Sequence, residues 1–86
     1  MKCVELVRDF KDKISELKQK VQGYSSKVVI NYIIEELESV ELSEDYCLDF
    51  MNYIINNVEK FLISEIEELQ LIKNLIKHYR EVMSKL

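Results

Sequence analysis

The spacing of apolar residues predicts a helix at the start of the chain. Apolar side chains from Cys3 to Val21 recur at alternating steps of four and three residues. This spacing is typical of the buried face of an α-helix, whereas a strand would alternate in twos. We therefore predict a helix over about residues 2–22. Gly23, the single glycine of the chain, follows directly and is expected to end that helix in a left-handed conformation.

A second helix is predicted over about residues 27–40. Its many β-branched residues would also suit a strand, but the spacing of Ile30, Ile33 and Leu37 fits a helical period. The sequence also lacks a second strand-like segment that could pair with it. A serine hydroxyl just before the segment, at residue 25 or 26, is expected to cap its start, and Ser43 to cap the helix that follows.

The C-terminal half has neither glycine nor proline after Glu44, and its apolar residues follow one another in steps of three or four up to Leu86. The simplest interpretation is one long helix over about residues 44–86. The alternative is a break near Asn56 or Ser64, which would give a monomer of four helices.

A helix of that length predicts a partner. Residues 44–86 would form a rod of about 64 Å, which the two shorter helices cannot cover. The rod would be apolar on more than one stripe and would need cover on two sides. The expected fold is therefore a single all-α domain over residues 1–86, a helical hairpin packed on the long helix of a dimeric bundle. The predicted dimer interface consists of Ile54, Val58, Phe61, Leu62, Ile66, Leu69, Ile72, Ile76, Tyr79 and Met83.

Charge is unevenly distributed along the chain, whose net charge is −4. Residues 1–27 contain seven bases and four acids, whereas residues 28–59 contain eight acids and no base. Acids repel phosphates, so neither nucleic acid nor a membrane surface is expected to bind there directly. The acids are expected either to form a solvated face partly neutralised by the bases of residues 1–27 or to bind a basic protein partner. The predicted partner-binding acids are Glu35, Glu36, Glu38, Glu41, Glu44, Asp45 and Asp49.

Residues that could support catalysis or metal binding are sparse. His78 is the only histidine and is accompanied by Glu81 one turn later, which is too few ligands for a metal site. Cys3 and Cys47 occupy apolar positions of their helices and are expected to be buried free thiols, with a disulfide as the alternative. We expect no cofactor, no metal and no enzymatic activity.

The pattern favours a non-enzymatic interaction module that forms a homodimer through its long helix and presents an acidic face. The alternative function is a small inhibitor or decoy that occupies the basic nucleic-acid-binding groove of another protein. No apolar run approaches the roughly 18 residues that cross a bilayer, and Glu5 lies where a signal peptide would be apolar. These features predict a cytoplasmic protein.

Overall fold

The computed structural model describes residues 2–62 and 67–86, and this part of the chain is all-helical. The prediction of an all-α fold is confirmed. Every pair of helices is in contact, and the radius of gyration is 12.3 Å. The four helices are α1 (Cys3–Lys20), α2 (Tyr24–Glu38), α3 (Glu44–Glu59) and α4 (Glu67–Met83).

Helices that follow one another in the chain run antiparallel. Lys11 on α1 forms a 3.1 Å ion pair with Glu38, the last residue of α2. Tyr32 on α2 accepts a hydrogen bond from Asn57, close to the end of α3. Glu44 at the start of α3 accepts hydrogen bonds from the first residues of α1, and Glu68 at the start of α4 accepts them from the residues just before α2. The starts of α1 and α3 therefore lie at one end of the bundle, and the starts of α2 and α4 lie at the other. This topology is the usual result of short connections between helices.

The first two helices lie close to their predicted positions, but the predicted role of the glycine is wrong. Gly23 is the residue before α2, with an ordinary φ of −69°, so no left-handed turn ends α1. Ser26, predicted as a possible cap, lies inside α2 and is fully buried. Ser43 does precede α3 as predicted, but its hydroxyl makes no capping hydrogen bond.

The prediction of one continuous C-terminal helix is wrong. Helix α3 ends at Glu59, where the backbone N–H groups of Phe61 and Leu62 bond carbonyls three residues earlier and tighten the last turn. The alternative placed a break near Asn56 or Ser64: α3 continues through Asn56 and ends three residues later, and Ser64 lies outside the described residues. The four-helix alternative is the observed architecture. Folding back buries the apolar faces of both halves, which a straight rod would leave in water.

The core is formed by one side of each helix. Phe10 and Ile14 on α1, Ile33 on α2, Ile54 on α3 and Ile72 on α4 are all completely buried. Burial of apolar side chains is the main stabilising contribution in a domain of this size. The core therefore depends on contributions from all four helices.

A polar contact crosses the middle of the bundle between α1 and α4. The hydroxyl of Tyr79 donates a hydrogen bond to the carboxylate of Asp9, and its ring packs edge-on against Phe10 at 5.0 Å between centroids. Burial of the phenol and the neighbouring carboxylate both raise the pKa of Tyr79. The side chain thus stays a neutral donor, which suits its buried position.

The two cysteines form a disulfide, so the prediction of free thiols is wrong. Cys3 begins α1, Cys47 lies in the first turns of α3, and their Cα atoms are 6.0 Å apart. The sequence could not show this proximity, because it depends on the starts of α1 and α3 meeting at one end of the bundle. The predicted cytoplasmic location is not tested by the fold and stays a prediction.

Candidate partner-binding surface

The seven acids predicted to bind a partner do not all face outward as free carboxylates. Glu38 is paired with Lys11 on α1. Both carboxylate oxygens of Glu44 accept hydrogen bonds from the first turn of α1, at 3.2 Å from the amide of Cys3 and 2.8 Å from that of Val4. These two acids therefore stabilise contacts between helices. In the described part of the chain, no ion pair within the protein involves the others, which are Glu35, Glu36, Glu41, Asp45 and Asp49.

Glu68 makes a similar contact at the opposite end of the bundle. It lies in the first turn of α4, and its carboxylate accepts hydrogen bonds from the amides of Gln22 and Gly23 at 2.8 and 2.7 Å. The hydroxyl of Ser26 donates a third bond at 3.0 Å. These donors stabilise the charged form and lower the pKa of Glu68. Sequence analysis did not identify this residue, because its partners are more than 40 positions away.

The exposed side of α3 carries a row of aromatic side chains. Tyr46, Phe50 and Tyr53 follow one another at steps of four and three, so they lie on the same face of the helix. Phe61 continues the row just beyond the helix end. We call these four residues the aromatic stripe. Phe50 is half-buried against the core, whereas Tyr46, Tyr53 and Phe61 are 59, 55 and 59% exposed.

Helix α2 lies alongside the end of this stripe. The ring of Tyr32 lies 6.5 Å from that of Phe61, and its hydroxyl accepts a hydrogen bond from Asn57, four residues after Tyr53. The stripe therefore follows the groove between α2 and α3. Glu36 is four residues after Tyr32 on the same face of α2, which places a carboxylate on the far side of the groove from the tyrosines of α3.

Carboxylates border the groove on both sides. Glu35 and Glu36 belong to α2, and Asp49 lies between the two tyrosines of the stripe on α3. Helix α3 contains four acids and no base. Of these, Glu59 turns toward α4, where it pairs with Arg80 at 2.7 Å. The surface around the stripe is consequently negative and partly apolar, a combination that favours cationic groups attached to apolar chains.

The groove between α3 and α4 is mainly basic, in contrast to the groove between α2 and α3. Its described lining includes apolar Leu62 and Ile76 and the basic side chains of Lys73, Lys77 and Arg80. Arg80 is held there by its ion pair with Glu59 and by a hydrogen bond to Asn56 at 3.2 Å. The two flanks of α3 therefore differ in charge: the flank toward α2 carries Glu35, Glu36 and Asp49, with one exposed base, Lys60, beside Phe61 at the end of the stripe.

The residues predicted to form the dimer interface are largely covered by the chain itself. Phe61 is exposed, Ile66 lies outside the described residues, and the other eight belong to the core of the single chain. The premise that a second chain must cover them is therefore wrong. Homodimerisation stays a prediction, and it would have to use other surfaces. The eight buried residues are Ile54, Val58, Leu62, Leu69, Ile72, Ile76, Tyr79 and Met83.

The described residues hold no group of three or more potential metal ligands close enough to bind an ion. His78 is exposed on α4, edge-on to the ring of Tyr79 at 5.2 Å between centroids. Within residues 2–62 and 67–86, no helix combines the length and apolar character needed to span a bilayer. The surface between α2 and α3 is the candidate functional site because it combines exposed aromatic rings with carboxylates.

Comparison with known proteins adds no relative. The chain matches no protein family model, no curated protein and no solved structure. The functional argument therefore depends on the chemistry of the surface alone. The acids of this surface were predicted from the sequence, whereas its aromatic stripe was not. The spacing of Tyr46, Phe50 and Tyr53 could have indicated that these rings share one face of a helix.

Proposed function

We propose that this chain is a protein–protein interaction module that binds a basic partner through the face formed by α2 and α3. The observation that supports the proposal is the charge of this face. Residues 28–59 contain eight acids and no base, and the acids of this face without an internal ion pair include Glu35, Glu36 and Asp49. A field of one sign attracts an oppositely charged partner and disfavours others.

The aromatic stripe supports a protein as the partner. Aromatic residues are enriched at protein interfaces where an apolar ring and a polar tip are both used. The decoy alternative would also bind a basic protein, and it stays a prediction.

The proposal can be tested by NMR titration of the isotope-labelled protein with an oligolysine peptide. Wild-type protein is expected to show saturable shifts of amide signals on α2 and α3, and the apparent affinity is expected to fall as salt is added. The Glu35→Gln, Glu36→Gln, Asp49→Asn triple variant is expected to lose most of this binding.

A matched triple variant controls for net charge. Glu5→Gln, Glu67→Gln and Glu81→Gln remove the same number of charges from exposed positions on α1 and α4. This variant is expected to keep wild-type affinity. Equal weakening in both variants would show that the peptide responds to overall charge, and would contradict a binding face on α2 and α3.

A further inference from the structure

We infer that the aromatic stripe receives a basic amphipathic helix of the partner, whose lysine or arginine side chains stack on Tyr46 and Tyr53. The inference rests on the function proposed above and deepens it, since it names the contact surface and the chemistry of the partner. It is supported by the exposure of the stripe, by its length and by the arrangement of carboxylates along it.

The rings of the aromatic stripe are unusually exposed to solvent. Three of the four rings of the aromatic stripe are more than half exposed, although large aromatic side chains are usually well buried. Tyr46, Phe50 and Tyr53 lie along one face of α3, and Phe61 follows two residues after the helix ends. A contiguous apolar surface bordered by polar groups is typical of an interaction site, whereas isolated exposed apolar residues need no explanation.

The length of the stripe suits a helix. Residues 46–61 span about 22 Å at 1.5 Å per residue, which corresponds to about four turns of a partner helix of roughly 15 residues. Such a helix can lie in the groove between α2 and α3 and present its apolar face to the rings. A single extended side chain or a small anion would use only a fraction of this surface.

The combination of rings and carboxylates determines the charge of the partner. A purely apolar helix would remove water from Glu36 and Asp49 without pairing them, which is unfavourable. A lysine or arginine over Tyr53 can interact with the π face of the ring and with a carboxylate nearby. The same face of a second copy is disfavoured as the occupant, because two acidic faces repel each other.

The test uses three synthetic peptides of about 15 residues. The first is an amphipathic helix with leucine on one face and arginine on the other. The second has the same composition in an order that gives no apolar face, and the third replaces every arginine of the first by glutamate. The protein has no tryptophan, so one tryptophan in each peptide reports binding by fluorescence without interference.

Tyr46→Leu combined with Tyr53→Leu removes the π faces and keeps apolar side chains at exposed positions. Affinity for the first peptide is expected to fall roughly five- to thirtyfold, the effect of losing two cation–π contacts at a solvent-exposed site. The matched control is Tyr24→Leu, an 83% exposed tyrosine in the first turn of α2 and outside the stripe. This control is expected to bind with wild-type affinity.

The outcomes separate the two proposals. If neither arginine peptide binds wild-type protein, the proposed function itself is overturned. Equal binding of both arginine peptides would show that an apolar face is not needed, and the aromatic stripe would then not be the contact surface. The same conclusion would follow if the double tyrosine variant bound like wild type while the Glu35→Gln, Glu36→Gln, Asp49→Asn variant did not. Either result would leave the proposed acidic binding face in place. Tight binding of the glutamate peptide would contradict both proposals. Circular dichroism of each variant verifies that the helices are intact.

Discussion

The two ends of the bundle use the same polar contact, but only one end adds a covalent bond. At one end, Glu44 in the first turn of α3 caps the first turn of α1, and Cys3 is bonded to Cys47 beside it. At the other end, Glu68 in the first turn of α4 accepts three hydrogen bonds around the start of α2. Glu44 thereby satisfies two N–H groups that the start of α1 leaves unpaired, whereas the amides bound by Glu68 belong to the last two residues before α2.

The comparison shows how a small domain stabilises helix starts that lie far apart in sequence. A carboxylate from the first turn of one helix binds the backbone at the start of another helix, or just before it. At the end with the disulfide, the contact between α1 and α3 is also maintained covalently. At the other end the polar contact depends on Glu68 alone, so that end is expected to be more sensitive to substitution of its glutamate.

Removing the disulfide is expected to have the largest effect. The bond closes a loop with a sequence separation of 44, and its loss is expected to lower the free energy of unfolding by about 4 kcal/mol by the loop-entropy relation. Chemical denaturation of the Cys3→Ser, Cys47→Ser variant would measure this. Wild type treated with reductant should behave like the variant, and the variant should not respond to reductant. Equal stability with and without the bond would contradict this account.

Substituting Glu68 by alanine is expected to have the next largest effect. The variant loses three hydrogen bonds at a helix start, and its melting temperature is expected to fall by more than that of Glu44→Ala. Glu44 accepts only two such bonds beside the disulfide, and its loss is expected to lower the free energy of unfolding by about 1 kcal/mol. Glu67→Ala, one residue before Glu68 and exposed, is the matched control. A larger effect at Glu44 would reverse the comparison.

The contribution of Glu68 is also expected to depend on pH. Its hydrogen bonds lower its pKa below the ordinary glutamate value, so the folded state binds this proton less readily than the unfolded state. The stabilisation is therefore complete above the ordinary pKa and is lost as the pH falls through the lowered one. The difference in stability between wild type and Glu68→Gln should follow this course. A difference that does not change on acidification would exclude a charged cap.

The smallest effect is expected for Gly23→Ala. The backbone there suits alanine, but a Cβ atom would lie 2.6 Å from Oε1 of Glu68. The carboxylate is the end of a side chain that can shift, so the variant should weaken the contact without abolishing it. Thermal melts should show a smaller loss than for Glu68→Ala. In a Glu68→Ala background, Gly23→Ala should cause no further decrease in melting temperature. Decreases that add up in the double variant would contradict a direct contact between the two residues.

How far the sequence predicts this fold differs between its two halves. The extents of α1 and α2 follow from local apolar periodicity and were predicted to within a few residues. The reversal after Glu59 was not predicted as the main interpretation, because no glycine or proline marks it and the apolar steps continue without a gap. Whether such a segment stays straight or folds back depends on what its apolar faces pack against, which local spacing does not determine.

The candidate site was predictable to a similar degree. The acidic composition of residues 28–59 is visible in the sequence, and it led to the prediction of an acidic binding face. Which of these acids contact α1, here Glu38 and Glu44, could not be read from the sequence, because the choice depends on how distant parts of the chain pack. The exposure of Tyr46 and Tyr53 depends likewise on which side of α3 faces the core.

By itself, the sequence determined that this protein is helical, where its first helices lie and where its negative charge is concentrated. These properties depend on local spacing and on residue type. Only the tertiary structure decided that the C-terminal half folds back, that Cys3 meets Cys47, and that Glu68 binds the backbone just before α2. The last two contacts join residues more than 40 positions apart, and all three features result from burying the apolar faces of the four helices at once.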